Sequence, residues 1–275
     1  MSPLLPELRW RGLTRVLVLA DQLVAEHWPA AMHSHRMVVR AAWDGSALAL
    51  ALQTLLAQLP AKRWQRVEIY VADKHAHLLR LPAMAADMQT LDLTGQAQQD
   101  YARAMLMQIY GESAQRWPLR LQDVRQPQDC IVAAMPALQT DDFRAVMGTI
   151  AMQYTLQPYA TALWAQTRLP ANGTVLTAEP QMLRLLQLND SRVTHIASLA
   201  TDLTAVQPLA DWLLRERMLL GVQSQPCYWL MEPDCPWMAR TGGHLKQALA
   251  GALDWHSLFA KRALTNLGQE RMHVA

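Results

Sequence analysis

The sequence predicts an α/β fold made of two halves that share one order of strands and helices. Three strands, a helix and a further strand begin near Arg15, and the same order begins again near Gly173. The composition agrees, because 51% hydrophobic and 17% charged residues in a chain of 275 provide a large core and exclude global disorder.

In the first half, alternating apolar runs predict strands, and helical spacing predicts the segments between them. Ala20-Asp21-Gln22 is the expected turn of the first hairpin, and Asp73-Lys74-His75 is the polar tip of a second one. The predicted elements are, in order, a hairpin over 15–28, a strand over 37–43, a helix over 47–59, a hairpin over 67–81, a helix from 94 that Gly111 closes, an edge strand over 119–124, a buried strand over 130–135 and a helix over 143–154.

The second half repeats this plan with tight turns at Glu179-Pro180-Gln181 and Asn189-Asp190-Ser191. Two β-β-β-α-β-α halves in one chain indicate an actin-like (ribonuclease H-like) duplication. The predicted elements are strands over 173–178, 182–188 and 192–198, a helix over about 203–219, a strand over 227–231 and a helix over 245–253.

Charge and cysteine content exclude several classes of protein. The net charge is +2 without a basic block, which argues against a general nucleic-acid binder. The three cysteines are odd in number and irregularly spaced, so a reducing compartment is expected instead of a disulfide framework. The N-terminal residues lack a secretory signal, and no apolar run is long enough to span a bilayer. We therefore expect a soluble, cytoplasmic protein.

Three stretches resemble the PilM, GspL and MshI-like proteins of type IV pilus and type II secretion inner-membrane platforms. The first is Val67–Pro82, which ends in Leu-x-Leu-Pro as a strand of that family does. The second is Ile131–Met135 with the segment through Leu163, which resembles the family's connection between its two halves. The third is Gly173–Ser198, which is similar to the three strands that open the family's second half. The resemblance implies an actin-like fold with a first half over 1–170, a small inserted subdomain at about 67–125 and a shortened second half over 171–275.

The nucleotide motifs of such a fold are degenerate. Actin-like ATPases need an Asp-x-Gly turn, where backbone N–H groups approach phosphates without an intervening Cβ. Here Ala20-Asp21-Gln22 keeps the acid without the glycine, and Thr177-Ala178-Glu179-Pro180 lacks both. A Gly-Gly at Thr241-Gly242-Gly243 stands away from the strand at 227–231, as at a plain helix entry. We therefore predict a pseudo-ATPase without a cofactor.

Other polar clusters give no catalytic or metal-site residue. A solvated hairpin tip is the prediction for Asp73, His75 and His77. A polar loop between strands is the prediction for Glu26-His27, His33 and His35. Cys227, Cys235 and His244 have no zinc-ligand spacing, and the basic segment 62–66 indicates a solvated face. Phosphate-loop, nucleophile-elbow and His-Glu-x-x-His motifs are absent.

The aromatic balance fits ordinary core and rim packing at most positions, and at some positions a partner surface. The chain has ten Trp and six Tyr but two Phe, and several Trp stand at predicted element ends. These are Trp10, Trp28, Trp43, Trp64 and Trp117. The resemblance implies a groove, formed by 67–125 and the adjacent first-half core, for the N-terminal cytoplasmic tail of a bitopic inner-membrane protein.

The function predicted on this basis is a non-catalytic scaffold of a pilus or secretion assembly platform. It would be cytoplasmic and peripheral to the inner membrane through its partner alone. The alternatives are an ATP-binding actin-like ATPase or sugar-kinase-like enzyme with an atypical site, and a plain α/β domain without a pilus connection. The oligomeric state stays open at this point.

Overall fold

The computed structural model describes thirteen strands and six α-helices, together with short 3₁₀ turns at Asp73–His75 and Glu112–Arg116. The described residues are 12–29, 37–59, 66–81, 95–123, 130–136, 140–150, 153–179, 181–200, 205–232 and 236–261. The strands are β1 (Leu13–Val18), β2 (Gln22–Trp28), β3 (Met37–Ala42), β4 (Arg66–Val71), β5 (His77–Leu81), β6 (Leu119–Asp123), β7 (Cys130–Ala134), β8 (Gln153–Pro158), β9 (Gly173–Glu179), β10 (Met182–Asn189), β11 (Arg192–Ala200), β12 (Cys227–Met231) and β13 (Trp255–Phe259). The helices are α1 (Leu48–Ala57), α2 (Gly95–Tyr110), α3 (Thr140–Ile150), α4 (Tyr159–Ala165), α5 (Val206–Leu219) and α6 (Pro236–Ala248).

The first five-stranded sheet has the order β3-β2-β1-β4-β8. β1 pairs antiparallel with β2 and parallel with β4, and β4 is parallel to β8. Alternate side chains of these strands lie on one face, where Val16 and Ile69 pack in one core with Leu52 and Leu55 of α1 and Met147 of α3. This core anchors the turns at the strand ends.

The second five-stranded sheet has the order β11-β10-β9-β12-β13, with the same sequence of antiparallel and parallel pairings. Leu176, Leu185 and Trp229 form its core with Leu213 of α5 and Leu245 of α6. The duplication predicted from the order of elements is therefore confirmed at the level of sheet topology. The hairpin from β10 to β11 turns at Asp190 and Ser191, both with positive φ.

A third sheet has three strands in the order β5-β7-β6 and is fully antiparallel. The central strand β7 carries Ile131, Val132 and Ala133, all buried, as its uninterrupted apolar run predicts. β6 lies at the edge of this sheet, also as predicted.

Three predicted elements are wrong in pairing or extent. The segment 67–81 is not a hairpin, because β4 pairs with β1 and β8 while β5 pairs with β7. The helix predicted over 143–154 ends at Ile150, and Gln153–Pro158 forms β8. The helix predicted over 245–253 begins at Pro236, and the strand β13 after it was not predicted.

The contacts divide the chain into two compact units. The first unit holds 1–76, 116–118 and 135–159, and the second holds 77–115, 119–134 and 160–275. This grouping follows contacts and not the order of the chain. The domain bounds at 1–170, 67–125 and 171–275 therefore stay a prediction.

Candidate functional site

The candidate site lies in the first unit, at the carboxyl ends of β1 and β4. The two strands are parallel neighbours, so the residues that follow Val18 and Val71 lie side by side at the C-terminal ends of the strands. In open α/β sheets, ligands bind outside the carboxyl ends of the strands. Ala20-Asp21-Gln22, which stands at the position of the first phosphate turn, lies at this end of the strands.

The turn itself is tight and is held by backbone hydrogen bonds. The N–H of Leu19 donates to the carbonyl of Gln22 at 2.9 Å, which leaves Ala20 and Asp21 as the turn residues. The N–H of Trp43, just after β3, donates to the carbonyl of Asp21, also at 2.9 Å. A phosphate-binding loop presents free N–H groups to its ligand. At Leu19 the N–H is already used within the turn.

His75 and Trp43 hold the same turn from two other segments. Nε2 of His75 donates to the carbonyl of Leu19 at 3.1 Å, and the His75 and Trp43 rings lie 4.7 Å apart, centroid to centroid. Trp43 is buried, and its indole N–H donates to the carbonyl of Ser46 at 2.5 Å. The side chains of His75 and Trp43 thus lie against the turn that follows β1.

His75 and His77 do not form a common site. His75 is half-buried in the 3₁₀ turn, so the solvated hairpin tip predicted for it is wrong. His77 belongs to β5, and its ring lies 4.5 Å from that of Tyr110. The side chain of Asp73 lies outside the described residues. Among the side chains that the structure describes, no cluster of His, Cys, Asp and Glu could hold a metal ion.

These two histidines predict a loss of stability in acid. Burial lowers the pKa of His75, with Lys74 adding to the effect, and burial followed by the charge of Arg184 lowers the pKa of His77. The unfolded chain therefore binds protons first, near the ordinary histidine pKa of about 6.5. The free energy of unfolding is expected to fall as the pH drops from about 7.5 to 5.5.

Urea denaturation followed by tryptophan fluorescence at a series of pH values measures this slope. The H75Q variant should show a shallower slope than the natural chain, because a neutral amide replaces the titrating ring. A natural chain whose stability rises over the same interval would contradict the assignment.

In the second unit, the positions of the two other nucleotide motifs are the end of a buried strand and the interior of a helix. Glu179, at the position of the second Asp-x-Gly, is buried at the end of β9, and Pro180 lies outside the described residues. Thr241-Gly242-Gly243 lies inside α6 and is not the helix entry that was predicted. A Cβ on Gly242 would stand 2.5 Å from Nε1 of Trp229. This glycine therefore permits close packing of α6 on β12.

Cys227, the cysteine whose side chain the structure describes, gives no site either. Cys227 is fully buried on β12, and burial raises the pKa of its thiol to about 12. A thiol with so high a pKa is neither a nucleophile nor a ready metal ligand. His244 is exposed on α6, and Cys235 lies outside the described residues.

Glu26 and His27 are buried strand residues of β2, so the loop predicted for them is wrong. Nδ1 of His27 lies 2.9 Å from Oγ1 of Thr14 on β1. His33 and His35 lie outside the described residues. The pairing of β2 with β1 thus gives His27 a polar neighbour inside the sheet, which the local sequence does not indicate.

A polar cluster on β1 and β4 was missed by the sequence reasoning. Nε of Arg15 donates to Oε2 of Glu68 at 3.0 Å, and the Tyr70 hydroxyl donates to the same oxygen at 3.0 Å. Arg66, at the end of the basic segment 62–66, pairs with Oε1 of Glu68 at 3.1 Å. Each of these apolar strands has a charged residue near its middle, Arg15 in β1 and Glu68 in β4, and this pattern could have indicated an ion pair between them. The single carboxylate of Glu68 is shared by two arginines and a tyrosine hydroxyl, so this cluster holds β1 and β4 together and is structural.

The tryptophans divide between packing and surface. Trp43 is 5% exposed, so it is excluded from a partner-binding surface. Trp28 is half-buried, with the guanidinium carbon of Arg15 5.0 Å from its ring centroid. Trp117 is also half-buried, and Trp10 and Trp64 lie outside the described residues.

None of the helices in the described ranges combines the length and the hydropathy that a membrane crossing requires. Neither a protein-family model nor a curated protein matches the chain.

Two solved structures are similar in fold. One is a Bacteroides thetaiotaomicron protein with an actin-like ATPase fold and unknown function, with a TM-score of 0.57 at 8% identity over 94% of this chain and 93% of that chain. The other is the PilM-PilN type IV pilus biogenesis complex, with a TM-score of 0.55 at 11% identity over 89% and 87% of the two chains. The fold is therefore actin-like, as predicted, and resembles that of the PilM-type proteins.

Proposed function

We propose that this chain is a non-catalytic, actin-like scaffold of a type IV pilus or type II secretion assembly platform. It binds the cytoplasmic tail of a bitopic inner-membrane protein and is peripheral to that membrane through this partner. The observation that carries the proposal is the closed turn after β1, where Leu19, Asp21 and their neighbours hydrogen-bond to one another instead of presenting a phosphate loop.

Features of each unit by itself support a non-catalytic role. In the first unit the turn has no glycine, and His75 and Trp43 lie against it. In the second unit the space beside Gly242 is filled by the buried ring of Trp229. The N–H of Leu19 is used within the first turn, and Trp229 occupies the space beside Gly242. An ATPase needs both the phosphate turns and the nucleoside site, so these two features support a non-catalytic role.

The fold and the composition both favour a protein as the partner. A chain of similar fold is part of a complex named for type IV pilus biogenesis, and its partner there is a second protein. The net charge of +2 offers no general attraction to nucleic acid. A protein tail is therefore the expected ligand, and the domain bounds 1–170 and 171–275 with an insert at 67–125 belong to the same proposal.

Isothermal titration calorimetry tests both parts with the full chain. One titrant is Mg-ATP, and the other is a synthetic peptide of the N-terminal cytoplasmic tail of a bitopic inner-membrane protein from the pilus or secretion platform of the same organism. We expect no heat from Mg-ATP at millimolar concentration and micromolar binding of the peptide, with a scrambled peptide as the control.

Each arm can overturn its own part of the proposal. Sub-millimolar binding of Mg-ATP that is lost in the D21A variant would identify an active actin-like nucleotide site and contradict the non-catalytic assignment. Failure of the tail peptide to bind, with the chain folded and Mg-ATP silent, would contradict the scaffold assignment.

A further inference from the structure

The outer strand of the second sheet has one edge to which no other strand of the described ranges pairs. β13 is the last strand in its sheet and pairs only with β12 among the described residues. All five of its residues are in regular parallel register with β12, without a bulge. A strand of this kind presents a row of backbone N–H and C=O groups on its outer side.

Two hydrogen bonds at the ends of the strand determine which residues face outward. The carbonyl of Asp254 accepts from the N–H of Cys227 at 2.7 Å, and the N–H of Ala260 donates to the carbonyl of Met231 at 3.0 Å. Because backbone groups alternate in direction along a strand, the even-numbered residues point toward β12. Trp255, Ser257 and Phe259 therefore direct their N–H and C=O groups outward.

This edge ends immediately after these residues. The N–H of Lys261 donates to the carbonyl of Gln166 at 3.1 Å, within the same unit. Between Trp255 and Phe259 the strand contains no lysine, proline or glycine, which are the residues that protect natural sheet edges. Phe259 is 61% exposed, a high value for an aromatic side chain.

We propose that two copies of this chain associate by antiparallel pairing of their β13 edges, with the two-fold axis at Ser257. This register places Trp255 opposite Phe259 of the second copy, and Ser257 opposite itself. All the outward residues then face one another as hydrogen-bonded pairs, because each directs its N–H and C=O to the same edge. The two aromatic pairs that result are among the favourable cross-strand combinations.

The charges at the strand ends favour a second copy as the occupant. Asp254 precedes β13, is 69% exposed and has Oδ1 3.0 Å from Nε2 of the exposed His256, and Lys261 follows the strand and is also exposed. In this register Asp254 of one copy lies opposite Ala260 of the other, one position from its Lys261, so opposite charges are close at both ends of the interface. Parallel pairing would set like charges side by side, which is unfavourable. The edge is thus self-complementary in hydrogen bonding, aromatic contact and charge.

Sedimentation equilibrium of the full chain over a concentration series tests this proposal, which does not depend on the proposed function. We expect a monomer–dimer equilibrium. S257P removes an outward N–H that the fold does not use and should raise the dimer dissociation constant at least about tenfold, whereas S257A should leave it unchanged.

A charge exchange guards against a misfolded variant. K261D should weaken the dimer, because it sets Asp254 against a second carboxylate, and D254K/K261D should restore it. A chain that is monomeric at all concentrations, or a dimer that S257P and K261D leave unaltered, would overturn the proposal.

Discussion

Replacement of Arg217 by methionine is expected to lower the free energy of unfolding of the second unit by about 3–5 kcal/mol. Arg217 is 1% exposed at the end of α5. It donates to the Thr174 hydroxyl at 2.5 Å and to the carbonyls of Val222, Gln223 and Gln225 at 3.0, 3.1 and 2.5 Å. Without the guanidinium, the buried Thr174 hydroxyl and the part-buried carbonyls lose their donor, and an unsatisfied polar group away from water is costly.

The same guanidinium supports a wider polar network. The Thr174 hydroxyl donates to Oε1 of Gln187 at 2.7 Å, and Nε2 of Gln187 donates to Oε1 of Gln225 at 2.7 Å. Arg217 thereby ties the segment between α5 and β12 to β9 and β10. Lysine carries the charge without the planar fork, so R217K should recover only part of the stability.

Arg215 provides the matched control on the same helix. Its side chain is 63% exposed and pairs with Glu216 at 3.6 Å, so R215M should change the free energy of unfolding by no more than about 0.5 kcal/mol. Urea denaturation followed by tryptophan fluorescence compares the two variants. Similar losses for R217M and R215M would contradict the structural role given to Arg217.

The adjacent glycines of α6 are expected to respond in opposite directions to alanine. G243A should stabilise the chain by up to about 1 kcal/mol, because alanine favours a helix over glycine and a Cβ there meets nothing within 4 Å. G242A should destabilise it by about 2 kcal/mol, because its Cβ would overlap the Trp229 ring at 2.5 Å from Nε1.

The Trp229 ring has little freedom to move away. It is 1% exposed, and its indole N–H donates at 3.0 Å to the carbonyl of Met238, which lies one helical turn before Gly242 in α6. Thermal unfolding and near-ultraviolet circular dichroism of both variants test this pair. Equal stabilisation by G242A and G243A would show that α6 does not pack tightly on β12 and would revive the nucleoside interpretation of Gly242-Gly243.

The types and order of most elements follow from local pattern. The hairpin of β1 and β2, the buried run of β7 and the three strands from Gly173 each carry their periodicity and turn residues within a short stretch. The duplicated order predicted the sheet topology because the same local signals occur twice. The missing glycine after Asp21 was likewise visible without coordinates.

Pairing and the roles of polar residues were decided by the tertiary structure. The segment 67–81 has the local signals of a hairpin, yet β4 lies parallel to β1, which is distant in sequence. Glu68 is hydrogen-bonded to Arg15, 53 positions away. The ring of Trp229 leaves no room for a Cβ at position 242, which explains the glycine there. Periodicity depends on neighbouring residues and is present in the sequence, whereas these contacts depend on how distant segments pack.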